Sequence, residues 1–144
     1  MIDIVPMTPS DIDACIALWS HTEGMVLRDA DSPAALTRHL ERNQGCSFVA
    51  HCAGELVGVC LAGHDGRRGY LHHVAVAAPF RRQGIGKELV LRSLAALKEE
   101  GIGKCHLFVY DHNESGKKFW AGMGWRERAN LRLMSANISG SENA

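Results

Sequence analysis

Arg81-Arg82-Gln83-Gly84-Ile85-Gly86-Lys87-Glu88 joins a β-rich stretch, Tyr70-Leu71-His72-His73-Val74-Ala75-Val76, to a run in which Ile85, Leu89, Val90, Leu94 and Leu97 recur at helical spacing. A cationic, glycine-relieved turn at the start of a helix suits a diphosphate. Two glycines remove the Cβ atoms that would hold a ligand away from the backbone, so successive N–H groups can converge on an anion. The helix that follows places its positive end at the same point.

Two other phosphate-binding turns fail on particular residues. A Walker A loop requires glycine five places before its Gly-Lys pair and Ser or Thr after it, and those places hold Arg81 and Glu88. A dinucleotide fingerprint requires a third glycine where Leu89 stands, and a buried strand running straight into the turn. Here Ala77-Ala78-Pro79-Phe80 intervenes.

The rest of the chain sets bounds on what surrounds this turn. A chain of 144 residues fits one domain that buries about two-thirds of its unfolded surface. Lys plus Arg and Asp plus Glu balance at 16 each, which gives no case for nucleic acid or an anionic membrane as partner. Any positive field must be local. The five cysteines are odd in number and lack C-x-x-C spacing, so they read as reduced core residues. No stretch reaches the roughly 18 apolar residues of a membrane span, and the N-terminus lacks a basic leader, so a cytoplasmic protein is expected. His51, His64, His106 and His112 lack ligand spacing, and no metal is expected.

Working outward, residues 2–6 read as an edge strand, with helices expected from Thr8-Pro9-Ser10-Asp11 to about His21 and from Ser32-Pro33 to Asn43. The loop 22–31 between them holds Glu23, Arg28, Asp29 and Asp31. Residues 46–52 and 55–62 form a hairpin about Ala53-Gly54, and 70–76 follow as a third antiparallel strand. The long helix from Ile85 stops at Gly101 and Gly103. Then come a buried strand 105–110, a short helix 113–122 and a last strand 126–134. The expected class is α/β with a mixed sheet of about six to seven strands and about four helices. Residues 1–134 form the domain, and 135–144 a frayed tail.

Asn113-Glu114-Ser115-Gly116-Lys117-Lys118-Phe119-Trp120-Ala121-Gly122-Met123-Gly124-Trp125 follows the turn by about thirty residues. It is similar to motif B of the GNAT superfamily of acyl-CoA N-acyltransferases, with Gly116, Trp120 and Trp125 in place of the usual Ala, Tyr and Phe. Arg81, Gly84 and Gly86 meet the R/Q-x-x-G-x-G/A pattern of its motif A. The resemblance spans residues 2–134, and it implies a GNAT fold whose fourth and fifth strands splay apart.

The resemblance also implies acetyl-CoA as co-substrate and an amine of a small molecule or protein as acceptor, joined by direct attack in a ternary complex. The diphosphate would lie on N–H groups of Arg82, Gln83, Gly84, Ile85, Gly86 and Lys87, with Arg81 and Arg82 adding charge. Pantetheine amides would pair with the backbone of Val74 and Val76, and the Val74 N–H would polarise the thioester carbonyl. Asn113 would contact the cofactor arm or serve simply as a helix cap. Leu71 to Val76 is similar to the corresponding strand of arylalkylamine N-acetyltransferases, which implies that His72 is the general base, helped by Tyr70. A bulge in the strand would exchange His72 for His73.

The family's motif B tyrosine acid is Trp120 here, and an indole N–H is no proton donor at neutral pH. Either Tyr110 substitutes or the thiolate takes its proton from solvent. The missing tyrosine keeps a second function class open, a non-catalytic acyl-CoA-binding regulatory module. A magnesium-dependent nucleoside-triphosphate binder is a third, and the turn chemistry gives it little support. A homodimer is compatible with the sequence, although no exposed heptad calls for a partner chain.

Overall fold

A computed structural model describes residues 1–144, which cluster into two compact units, Met1–Leu107 and Phe108–Ala144. In the first unit β1 (Ile2–Pro6), β2 (Phe48–Cys52), β3 (Glu55–His64), β4 (Gly69–Val76) and β5 (Cys105–His106) form one sheet in sequence order. The pairings are antiparallel as far as β4, and β4–β5 is parallel. Ala53 and Gly54 both adopt positive φ, 51° and 81°, which matches hairpin twist between β2 and β3.

Helices α1 (Ile12–Ser20) and α2 (Pro33–Arg42) supply Ile12, Cys15, Trp19, Leu36 and Leu40 to a buried cluster with Val49, Val59, Leu61 and Ala75 of the sheet. Ser32 caps α2 by accepting a hydrogen bond from the Ala35 N–H (3.2 Å), ahead of Pro33 at the first helical position. Helix α3 (Ile85–Glu99) covers the sheet elsewhere: a Cβ on Gly58 would lie 3.0 Å from Leu89 Cδ1 and 3.4 Å from Ile85 Cγ2. The helix thus approaches β3 so closely that any larger residue at this position would press on the Leu89 side chain. All five cysteines are free, and burial pushes the Cys15 and Cys60 thiols up to about 12, which leaves them unreactive. No helix is long and apolar enough to cross a membrane.

The sheet has five strands, below the six to seven expected from sequence. The fifth strand comprises Cys105 and His106 alone, and the expected strand 126–134 is irregular. Phe108 and Tyr110 are 60% and 54% exposed, so the apolar run from 105 is not a buried strand along its length. In 126–134 four charged residues dilute the alternation, Leu133 and Met134 are exposed, and the Leu131 N–H closes a local turn on the Arg128 carbonyl. A segment with so little apolar surface on one face gains little from joining a sheet. In the second unit, α4 (Glu114–Gly122) starts at Asn113, whose Oδ1 accepts from the Gly116 N–H at 2.9 Å. Residues 135–144 form turns, one of them closed by the Gly140 N–H on Asn137 Oδ1.

Candidate active site

The start of α3 is built to leave its amides available. Gly84 sits at the N-cap with φ 80°, and no side chain caps the helix. The first intrahelical bond runs from the Glu88 N–H to the Gly84 carbonyl. Hence the N–H groups of Ile85, Gly86 and Lys87 lack helical acceptors, as in any first turn. Arg82 also has positive φ, 62°, so two left-handed residues curve the backbone into a shape suited to an anion. The Cβ position of Gly84 faces open space, with no atom within 4 Å. Arg81, Arg82, Gln83 and Lys87 are exposed, whereas the Ile85 side chain is 5% exposed and anchors the turn in the core.

Arg81 carries a second role that its sequence position did not show. Its Nε donates to the Val76 carbonyl at 2.9 Å, tying the turn to the end of β4. The Ala77 N–H bonds the Val57 carbonyl of β3. Alternation in an antiparallel ladder then turns the backbone groups of Val76 toward the opposite edge. On that edge β5 pairs only with Gly69 and Tyr70, so β4 runs on from Leu71 past the end of the parallel ladder. The splay expected between the fourth and fifth strands takes this form.

A bulge interrupts β4 at the doubled histidine. Leu61 opposes His72 and Val59 opposes Ala75, so His73 and Val74 together face Cys60 alone. His73 absorbs the extra residue with φ 49°. Consequently both imidazoles reach the side of the sheet covered by α1 and α2. The His72 ring lies 6.3 Å from Tyr70, nearly parallel at 11°, and 6.5 Å edge-on from His39 of α2. Tyr70 in turn lies 5.9 Å from His106. Burial lowers the His72 pKa below its ordinary value, nearby His39 and His73 lower it further, and Asp31 opposes them. His72 is therefore neutral at pH 7 and able to accept a proton.

His73 is held from several directions. Its Nε2 donates to Asp31 Oδ1 at 2.9 Å, its carbonyl accepts from Trp19 Nε1 at 2.8 Å, and its ring packs 5.0 Å from the Trp19 ring. Asp31 Oδ2 accepts from the Arg28 N–H at 3.0 Å, which closes a 3₁₀ turn at Asp29–Asp31. The Asp31–His73–Trp19 arrangement is the part that sequence reasoning missed. From sequence Asp31 reads as one of four polar loop residues, on the acceptor side or simply solvated, and Trp19 as part of the apolar face of the first helix. Their shared partner was hidden in a bulge.

In the second unit Tyr110 stacks on His112 (5.5 Å), and Trp120 packs edge-on against Trp125 (5.0 Å) and Phe119 (4.9 Å). Trp120 thus belongs to an aromatic cluster, and Asn113 makes the helix cap described above.

Residues 12–125 match the model of the Acetyltransferase (GNAT) family. An acetyltransferase of Pectobacterium atrosepticum is 33% identical over 106 residues, covering 73% of this chain and 74% of that one. One of Sodalis glossinidius is 31% identical over 129 residues, covering 89% of each. Among solved structures, the aminoglycoside N-acetyltransferase AAC(6')-Iy bound to a CoA bisubstrate analogue superposes with a TM-score of 0.76 at 18% identity, over 96% of this chain and 99% of that one. The PaiA N-acetyltransferase of Thermoplasma acidophilum, in complex with coenzyme A, gives 0.72 at 20% identity, over 85% and 88%.

Proposed function

The chain belongs to the GNAT acetyltransferase family, and from that premise we propose that it transfers an acetyl group from acetyl-CoA to a primary amine of a small molecule or protein, with residues 1–134 as one catalytic domain. The observation that carries this reading is the uncapped α3 N-terminus tied by Arg81 to the end of a strand, β4, whose ladder with β5 stops at Tyr70. The first offers amides to a diphosphate, and the second offers a peptide-like edge to the pantetheine arm that follows it.

In this reading the N–H groups of residues 82–87 hold the diphosphate, with Arg82 and Lys87 adding charge, and Val74 and Val76 pair with the arm. The Val74 N–H lies at the bulge, where it would stabilise the oxyanion formed as the amine attacks. Asn113 is assigned to the far end of the arm. Collecting the free base of an alkylamine at pH 7 costs about 4 to 5 kcal/mol, so a proton acceptor is useful. His72, neutral through burial, takes that proton directly or through water and passes it on by way of Tyr70. The nitrogen–carbon bond forms as the carbon–sulfur bond breaks, and the thiolate is protonated by Tyr110 or by solvent.

A screen of amines and peptides with acetyl-CoA, read by thiol release, tests the proposal. Amine-dependent release supports it. Calorimetric binding of acetyl-CoA without release across a broad panel would favour a non-catalytic regulatory module, the reading that Trp120 in place of tyrosine keeps in play.

A further inference from the structure

The segment between α1 and α2 is fastened near both ends to a single residue. Trp19, one residue before the end of α1, donates to the His73 carbonyl, and Asp31, one residue before the cap of α2, accepts from the His73 side chain. The Asp31 side chain is 9% exposed and that of His73 22%, so their contact is shielded from solvent. Hydrogen bonds to a charged group in such places are stronger than neutral ones. A carboxylate only accepts, so Nε2 of His73 carries the proton and its tautomer is set. The backbone at His73 is left-handed, a conformation that is costly for a residue with a Cβ and persists where surrounding contacts hold it. The next residue is Val74, whose N–H is assigned to the thioester carbonyl.

Between its anchors the segment exposes Glu23, Arg28 and Asp29, two carboxylates and one cation, while Met25 and Leu27 pack against the core. We infer that His73 and Asp31 are a positioning pair that fastens this segment to the β4 bulge, beside His72, and thereby sets affinity for the acceptor amine. The inference rests on the acyl transfer proposed above. His72 and His73 then have different tasks: the first handles the proton, and the second fixes the surface on which the amine is presented.

The test compares His73→Gly, Asp31→Ala and the double variant with the wild-type protein. Glycine tolerates the left-handed backbone, so His73→Gly removes the tie without adding strain. The probes are the acceptor amine found by thiol release, acetyl-CoA binding by calorimetry, and amide hydrogen exchange over residues 22–31. Each single variant should raise KM for the amine about tenfold or more. Acetyl-CoA affinity and kcat should change by less than about threefold, and the double variant should be no worse than the single ones because all three remove one contact. Exchange over residues 22–31 should quicken in each.

Additive losses in the double variant overturn the pairing. A fall in acetyl-CoA affinity as large as the rise in KM overturns the acceptor role, as does quickened exchange with an unchanged KM. If the wild-type protein turns over no amine, the proposed acyl transfer fails separately. Exchange then still reads the tie, with quickening supporting the positioning pair and wild-type exchange overturning it.

Discussion

Gly84 allows the proposed anion site to be separated from the helix that carries it. Its φ of 80° is left-handed and its Cβ position is open, so alanine meets no neighbour and adds backbone strain alone. That strain is about 1 kcal/mol, which lowers Tm by about 4 °C for a chain of this size. Gly84→Asp adds comparable strain together with a carboxylate beside the amides assigned to diphosphate. At a separation of about 5 Å and an effective dielectric constant of about 40 to 80, each pair of unit charges repels by about 1 to 2 kcal/mol. Two phosphate charges together therefore cost about 2 to 4 kcal/mol and weaken CoA binding roughly 30- to 700-fold beyond the alanine variant. The assay is stabilisation by CoA in thermal melts of wild type, Gly84→Ala and Gly84→Asp, at low and high salt. Both variants should melt below wild type, and the aspartate variant alone should lose most of its CoA-induced shift, recovering in part as salt screens the repulsion. Equal CoA stabilisation of the two variants would refute the diphosphate assignment.

Arg82→Ala should weaken CoA binding more at low salt than at high salt, whereas Arg81→Ala should show an added loss at every salt concentration because its Nε holds the Val76 carbonyl; identical salt profiles would show that the tie has no bearing on the site. His72→Ala should lower kcat by roughly 10- to 1,000-fold with acetyl-CoA affinity kept. Because burial depresses the His72 pKa, the wild-type rate should decline with acidification only below its ordinary value. The same shift contributes stability that is full above the unfolded pKa and lost as pH falls through the depressed folded one; an acid limb above the ordinary value would exclude His72 as the base. Tyr110→Phe should reduce turnover more than Trp120→Tyr changes it, and a Tyr110→Phe rate equal to wild type across the pH range would leave the thiolate proton to solvent.

The elements that form on local signals were legible in the sequence. Ser32-Pro33 announced α2, Ala53-Gly54 the hairpin, and the apolar period from Ile85 the helix α3, because each depends on a residue's own conformational preference or on a repeat within one element. The uncapped turn at Gly84 was legible for the same reason. Strand extent was not. The apolar run from Cys105 and the weak alternation from Arg126 predict strands only if an edge is available to pair with, and pairing is a property of distant segments.

The doubled histidine shows why the candidate active site is less legible than its frame. In a regular strand, alternation would send His72 and His73 to opposite faces, leaving one beside the base position and the other among neighbours of α3. A single extra residue opposite Cys60 cancels that alternation and brings both rings to the face of α1 and α2. No residue type in Leu71 to Val76 demands this, since the left-handed residue is a histidine where glycine or asparagine would have given a signal. The conformation is sustained from elsewhere, by a tryptophan 54 residues away and an aspartate 42 residues away. A bulge held in this way brings together things that a regular strand would keep apart, the buried His72 and the segment between α1 and α2. A change at Asp31 should therefore act through His73 on the placing of that segment, and so on the acceptor amine, while a change to an exposed residue of the same loop such as Asp29 should act only through its own charge.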